Sequence, residues 1–411
     1  MSSTTARIPL GAAFRLMVLA RTVAWFGTAV ALVAFPLVIY RTTGSASATA
    51  LLTAVESAPY LLFGLFAGAV ADRWRRRPTM IFAALAASVA TVSIPVAYWA
   101  ATLTTTHVFV AAFVSAAAMV FFDAAGFGLL PSLVPRDRLA DAVGQQTAMA
   151  TAITMAGPAL GGVLIAASSP FAALALNAAT FSVTAILLLW VREPASVSRE
   201  EQPRLWRDIG YGVRFILGHS LVRLLTLIGT GNSVAGGIMT GLLVVTAVQR
   251  YGVDEDGGEL GLFFAALGVG TLISTAILPG LSRKFTAGTI AITGLLVQAG
   301  AIGAWILTTA PVLGICALVV FQAAASTVII NGITVRHLVT PDELQGRVNT
   351  TARMLAWGGQ PIGAGIAGAS VGPLGLLPTL ALAVCVISAN ALFASLSSLR
   401  AVSAELRSST D

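Results

Sequence analysis

Three ionisable side chains interrupt long apolar segments of the sequence, where a charge is costly. Arg21 lies near the start of the first segment, Glu56 in the second and Asp123 in the fourth. A charge at the centre of a membrane-spanning helix costs about 3 kcal/mol or more, so such residues are usually paired or functional. Burial favours the neutral form of a carboxyl group, and a nearby arginine favours the charged form. A carboxylate that alternates between these surroundings binds and releases a proton, which predicts proton coupling at Asp123 first and at Glu56 second.

Each assignment has a structural alternative. Asp123 and Arg21 can form a static ion pair that fixes the packing of two helices. Glu56 can face lipid, with its carboxylate reaching towards the membrane surface. Two other arginines, Arg336 and Arg353, stand near the ends of their apolar segments and are expected to be solvated.

The composition excludes a soluble protein. The 411 residues are 57% hydrophobic and only 10% charged, whereas soluble domains are about 25% charged. A membrane-spanning helix needs about 20 mostly apolar residues. The sequence therefore predicts an all-α membrane protein with twelve transmembrane helices, at approximately 16–40, 48–71, 80–101, 108–131, 143–167, 171–191, 222–247, 260–281, 288–309, 312–335, 347–370 and 374–398.

The arginines predict the orientation of these helices. If the N-terminus is inside, the outside loops keep only Arg41 and Arg250, and all other basic residues of the loops fall inside. The positive-inside rule then places both termini in the cytoplasm. The net charge of +7 is explained by this distribution and does not indicate nucleic-acid binding.

The basic residues are almost all arginine. The sequence has one lysine, Lys284, and 23 arginines (24 basic residues less one). This bias suggests a GC-rich bacterial source and hence the inner (plasma) membrane.

The apolar segments divide into two similar halves. The longest polar stretch separates six from six, which gives an N-terminal bundle at 1–191, a cytoplasmic linker at 192–221 and a C-terminal bundle at 222–411. Within the linker, 205–217 is predicted to be an amphipathic helix on the inner membrane surface. The segment 133–139 resembles 338–344, and each follows the fourth apolar segment of its half. A parallel repeat of this kind is typical of facilitator-type transporters.

Two glycine-bearing motifs predict helix packing and gating. The segment 68–77 (Gly-Ala-Val-Ala-Asp-Arg-Trp-Arg-Arg-Arg) is a short basic turn between the second and third apolar segments. It predicts either a gating contact or only a positive-inside signal. The segment 157–162 (Gly-Pro-Ala-Leu-Gly-Gly) predicts a kinked helix that packs closely on its neighbours.

Neutral polar side chains in the apolar segments predict a substrate cavity. A binding site with apolar walls and few polar groups suits amphipathic organic molecules. For any single polar residue, interhelical hydrogen bonding is the more frequent role. The cavity residues that we select are Trp25, Phe122, Asn232, Gln322 and Asn331.

Together these motifs resemble the major facilitator superfamily, and in particular its drug:proton antiporter branch, which includes macrolide and enterobactin exporters. The gating motif of that family matches at Gly68, Asp72, Arg73, Arg76 and Arg77, with Arg75 where the family usually has glycine. The antiporter motif matches at Gly157, Pro158, Gly161 and Gly162. Further similar stretches are 122–135 and 341–349. After the aspartate of the fourth segment, the branch commonly has Pro-Ala-Arg, whereas this chain has Ala-Ala-Gly at 124–126.

The resemblance implies a function as well as a fold. In this family the first and fourth helices of each half line a central cavity, so Arg21 and Asp123 are expected to meet there. The leading expectation is proton-coupled efflux of small amphipathic organic compounds by a monomer in the lipid bilayer. The alternatives are a dedicated exporter or importer of one metabolite or siderophore and, from another class, a membrane-embedded enzyme or sensor.

An enzyme, a metal site and a cofactor are not predicted. No cluster of nucleophile and base is visible in the sequence, and no phosphate-binding loop suggests use of ATP. The cysteines lie singly in apolar segments and the histidines are scattered, at Cys316, Cys385, His107, His219 and His337.

Overall fold

The computed structural model describes residues 11–193, 205–254 and 259–397, and over these ranges the chain is helical apart from short connections. The helices are α1 (Ala12–Thr43), α2 (Ala46–Arg73), α3 (Arg76–Trp99), α4 (Thr105–Leu133), α5 (Leu139–Ala167), α6 (Pro170–Leu189), α7 (Leu205–Gly218), α8 (Ser220–Gly241), α9 (Leu243–Tyr251), α10 (Glu259–Lys284), α11 (Ala287–Leu307), α12 (Pro311–Val339), α13 (Asp342–Trp357), α14 (Gly359–Leu374) and α15 (Leu376–Leu396).

Short connections make successive long helices run in opposite directions. We call the face at which α1 begins and α15 ends the proximal face, and the opposite one the distal face. Eleven of the described helices are long and apolar enough to cross a membrane. The α13–α14 pair forms the twelfth crossing, which confirms the all-helical, twelve-span prediction.

The predicted span at 347–370 is wrong in detail, because this crossing is broken at Gly358 and begins at Asp342. The physical reason is composition. The first helix of the pair carries charged and amide side chains along much of its length, whereas the second is almost wholly apolar. The first crossing of the second half is also interrupted, since α8 gives way to α9 at Leu242.

The two halves repeat the same packing. In the first half α1 packs on α6, α2 on α4, and α3 on both α4 and α6. The second half repeats this with α8 on α15, α10 on α12, and α11 on both α12 and α15. The predicted pair of pseudo-symmetric six-helix bundles is therefore confirmed.

Among the described residues, the core that the halves share includes the distal part of the first half. One apolar cluster joins the distal part of α1, such as Val38, to residues of α8 to α12, α14 and α15. Near the proximal face the first half has a core of its own, which includes Met17, Met80 and Leu188. Contacts between the halves, by α2 on α14 and α5 on α10, are therefore supported by a continuous core on the distal side.

The amphipathic helix α7 docks on the second half. Its residue Ile216 is buried with Val222, Val348 and Ala352 of α8 and α13. Part of the apolar face that we expected to contact the membrane surface is thus covered by protein. Residues 194–204 of the predicted linker lie outside the described residues.

Candidate functional site

The structure brings Arg21 of α1 and Asp123 of α4 together. Arg21 Nη2 donates a hydrogen bond to Asp123 Oδ1 over 3.0 Å, and this contact is also an ion pair. The Trp25 indole, one turn further along α1, donates to the same oxygen over 3.4 Å. A hydrogen-bonded pair between charged groups is stronger than one between neutral groups, so it fixes α1 against α4 at this depth.

Burial of the two partners is unequal. The Arg21 side chain is fully buried, whereas Asp123 keeps 24% of its side chain exposed. The guanidinium lies over the rings of Trp25 and Phe127, at 4.7 and 4.9 Å from their centroids. Its Nε and Nη1 are buried without a hydrogen-bond partner. Aromatic faces compensate a cation only in part, so the arginine is incompletely satisfied in this arrangement.

Gly126 makes room for the arginine. A Cβ at this position would lie 3.0 Å from Arg21 Nη1 and 3.1 Å from its Cζ. The guanidinium from α1 thus occupies the space beside Gly126 of α4.

A cavity of about 260 Å³ lies beside the ion pair. Trp25 and Phe127 form its wall towards Arg21, and α10 closes the opposite side with Gly268 and Thr271. Polar side chains of α5 complete it, at Gln146, Thr147, Thr151 and Thr154. The cavity therefore lies between the halves and combines aromatic and polar groups.

Glu56 stands apart from this pair. It lies on α2, one turn before Tyr60, and is half-buried. It makes no hydrogen bond or ion pair with any residue that the structure describes, and it does not contact Arg21 or Asp123. Glu56 is therefore not part of the site that Arg21 and Asp123 form.

The other predicted cavity residues bind neighbouring helices. Asn232 Nδ2 donates to the Ala325 carbonyl over 3.4 Å, and Asn331 Nδ2 donates to the Ala287 carbonyl over 2.9 Å. Gln322 Nε2 donates over 3.2 Å to the hydroxyls of Thr271 and Ser326, so through Thr271 it reaches the wall of the 260 Å³ cavity. Phe122 is fully buried in the core of the first half. For Asn232 and Asn331 these contacts favour the interhelical alternative.

The basic turn is tied to the end of the first half. Glu193 accepts hydrogen bonds from the backbone N–H groups of Arg76 and Arg77, over 3.2 and 3.3 Å, at the start of α3. The Arg77 guanidinium donates to the carbonyls at the end of α6, and the Arg76 guanidinium donates to the Gly128 carbonyl. Sequence analysis missed Glu193. Its signal was a lone acidic residue directly after the sixth apolar segment, where it can cap a helix N-terminus.

The gating contact stays a prediction. The structure places only the backbone of Gly68, Asp72 and Arg73, at the end of α2, and the side chains of Asp72 and Arg73 lie outside the described part of the chain.

The antiporter motif forms a close crossing of three helices. A Cβ at Gly157 would lie 2.5 Å from the Ala29 Cβ of α1, and one at Gly161 would lie 3.0 Å from the Val30 Cα. On the other side, a Cβ at Gly261 of α10 would lie 2.8 Å from both the Gly162 Cα and the Pro158 carbonyl oxygen. The motif therefore permits the close packing that we predicted.

Replacing Gly157 by alanine is expected to force α1 away from α5. Overpacking a tight contact costs about 1–3 kcal/mol, so the unfolding midpoint of the purified protein should fall. Gly144→Ala is the matched control, since it lies on the same helix with nothing within 4 Å of its Cβ. That control should be neutral or slightly stabilising. Equal midpoints for the two variants would contradict the close-packing role.

A second cavity lies wholly in the C-terminal half, between α8, α12 and α13. It has a volume of about 500 Å³, and Arg336 and Arg353 are among the residues that line it. Arg336 is only 6% exposed, so the prediction that it is solvated is wrong. Its position in the last turn of α12 suggested solvation, but α13 turns back against this end of the bundle.

The architecture and the two cavities define the class of the protein. Two similar six-helix halves that share a distal core, with a buried ion pair beside a cavity between them, are typical of membrane transporters that work by alternating access.

Comparisons with known proteins give the family. The sequence model of the Major Facilitator Superfamily matches residues 17–364. The chain therefore belongs to that superfamily. The multidrug efflux pump Tap of Mycolicibacterium fortuitum is 25% identical over 377 residues, which cover 89% of this chain and 90% of that one. The protein of the same name from Mycobacterium bovis (strain BCG / Pasteur 1173P2) is 26% identical over 403 residues and covers 92% of this chain and 91% of its own length.

A solved structure supports the same fold. A bacterial homologue of the human lysosomal transporter Spinster, in an inward-facing and occupied conformation, superposes with a TM-score of 0.73. The sequence identity is 16%, and the match covers 94% of this chain and 96% of that one. At this identity the likeness concerns the fold alone.

Proposed function

We propose that this transporter exports small amphipathic organic compounds in exchange for protons. The observation that carries the proposal is the Arg21–Asp123 pair beside a cavity between the halves. The full-length similarity to proteins named multidrug efflux pumps supports the direction of transport and the kind of substrate.

The proposed mechanism uses the incomplete satisfaction of the arginine. A proton that reaches the exposed part of Asp123 neutralises the carboxylate and weakens its ion pair with Arg21. The guanidinium then gains freedom to rearrange against Trp25 and Phe127, which line the 260 Å³ cavity. Substrate affinity and protonation are thereby coupled, and the coupling is reciprocal. Glu56 is the second candidate for the proton site, because it has no described partner that holds it charged.

The protein reconstituted in liposomes tests this proposal. We expect an imposed pH gradient to drive a panel of cationic, neutral and anionic amphiphiles across the membrane, and a protonophore to stop it. Transport that ignores the pH gradient would contradict proton coupling. Transport of one compound from the whole panel would favour a dedicated metabolite transporter.

The proposed site of action is the bacterial plasma membrane, with the proximal face in the cytoplasm. The arginine distribution supports this orientation, and the separation of the cores near the proximal face then corresponds to an inward-facing state. In this frame Asp72 is proposed to hold the proximal ends of the second and eleventh spans together when the transporter faces outward. We propose a monomer in the bilayer as the working unit.

Cysteine labelling is expected to give the orientation. In a background without Cys316 and Cys385, single cysteines replace Ser3, Ser196 and Gly257. Only Gly257→Cys should react with a membrane-impermeant thiol reagent in intact cells. Its loop, which carries Asp254, Glu255, Asp256 and Glu259, is predicted to lie outside. Labelling at Ser196→Cys would show that the linker lies outside and that the orientation is the reverse of the proposed one.

A further inference from the structure

The cavity of the C-terminal half is basic. Its lining includes Arg336 and His337 from the last turn of α12 and Arg353 from α13. No acidic side chain lines it among the described residues. A cavity lined by charges of one sign concentrates ions of the opposite sign, so this cavity favours an anionic ligand.

The burial of Arg336 requires a partner that the described residues do not provide. Arg336 is 6% exposed, and its Nε and Nη1 are buried with no hydrogen-bond partner in the described structure. A buried charge without a partner is strongly unfavourable, so its free donors call for water, an ion or a ligand. A neighbouring carboxylate supplies this partner for Arg21, whereas no described residue supplies it for Arg336.

The chemistry of the guanidinium restricts the ligand. Its planar fork of N–H donors matches carboxylate, sulfonate or phosphate oxygens, which it can bind through two parallel hydrogen bonds. Arg353 is exposed at the wall of the same cavity and adds a second positive charge. An acidic group is therefore the feature that this site can recognise.

The rest of the cavity suits an apolar body. Leu225, Ile228, Val328 and Trp357 are among its walls. The volume of about 500 Å³ lies within the usual range for small-molecule sites, about 300–1,000 Å³.

The cavity adjoins the other half of the protein. The ring of Trp357 contacts that of Tyr60 from α2, with 6.1 Å between the centroids. A ligand in the cavity thus lies next to the contact between the halves, where its binding can influence their movement.

From these observations we infer that the α8–α12–α13 cavity binds the acidic group of an amphipathic organic anion, with Arg336 and Arg353 as its ligands. The inference rests on the proposed function, because it makes such anions a substrate class of the transporter. It commits to a transported solute and not to a lipid headgroup, because the cavity adjoins the contact between the halves.

A matched pair of probes tests the inference. Tritiated 1-naphthaleneacetate and its uncharged amide differ only in the acidic group. Their binding to the purified full-length protein, in nanodiscs of phosphatidylcholine, can be measured by scintillation proximity. We expect the wild-type protein to prefer the acid. Arg336→Gln and Arg353→Gln should each weaken binding of the acid about tenfold, as expected for a charge-assisted hydrogen bond, and leave binding of the amide unchanged.

Two further variants separate recognition from folding. Arg336→Lys keeps the charge without the fork and should retain part of the preference. Arg15→Gln removes an exposed arginine at the proximal end of α1 and should leave binding of both probes unchanged. Equal loss of both probes in Arg336→Gln would overturn the inference, since it would assign Arg336 a structural role.

The remaining outcomes are also decisive. If the wild-type protein does not prefer the acid, the inference fails. If phosphatidylglycerol in the nanodiscs displaces the acid, the site binds lipid headgroups and the inference also fails. Absence of pH-driven transport in liposomes for every compound would refute the proposed function, whereas the binding preference for the acid would still be measurable.

Discussion

Asp123→Asn is expected to abolish uphill transport and to leave downhill exchange of substrate intact. Asparagine has nearly the same shape and can still accept hydrogen bonds from Arg21 and Trp25, but it cannot release a proton. The cavity wall formed by Trp25 and Phe127 should therefore keep its form. Accumulation of substrate in proteoliposomes with a pH gradient should fall to the level measured without a gradient.

A control of the same chemistry separates this effect from a general loss of charge. Asp141→Asn removes an exposed carboxylate that pairs with Arg138 near the proximal start of α5, away from the cavity. It should transport like the wild-type protein. If Asp123→Asn still pumps against a gradient at the normal rate, Asp123 is structural, and Glu56→Gln becomes the decisive variant.

The sequence predicted most of the fold because its signals were local. Membrane-length apolar segments, separated by short basic or polar turns, indicate helices and their directions without knowledge of the packing. The internal repeat then relates the two halves. The Arg21–Asp123 contact was also predictable, because two rare charges at similar depth on helices that line one cavity have few other partners.

Other features depended on packing between distant segments. The break at Gly358 arises within one crossing whose first part is polar, and a hydropathy window averages over such a change. The burial of Arg336 depends on how α13 covers the end of α12, which no local pattern records. Likewise, Asn232 and Asn331 are polar residues in apolar segments. The sequence is the same whether such a side chain faces a cavity or donates to a carbonyl of a neighbouring helix.

Two buried arginines show why partners decide function more than position does. Arg21 is paired with Asp123, and Arg336 is not paired with any described residue. A charge with an internal partner can be switched by a proton on that partner. One without a partner is suited to bind the ligand's own charge. The two proposals thus place proton coupling and anion recognition in different halves of the protein.

Arg21→Met is expected to destabilise the protein by about 3 kcal/mol, the lower end of the range for breaking a buried ion pair. The value is at the lower end because Asp123 keeps 24% of its side chain exposed. Methionine retains the apolar stem that packs beside Trp25 and Phe127 but removes the charge. The unfolding midpoint of the purified variant, followed by tryptophan fluorescence, measures the effect.

The double variant Arg21→Met/Asp123→Asn distinguishes a coupled pair from two independent residues. If the pair is coupled, the double variant should be clearly more stable than the sum of the single effects predicts. Additivity within about 0.5 kcal/mol would show that the two side chains do not stabilise each other.

Transport gives a second measurement, because without the arginine charge Asp123 should keep its proton up to a higher pH. The pH of half-maximal transport by Arg21→Met should then rise, whereas a purely structural pair would lower the rate at every pH and leave that midpoint unchanged.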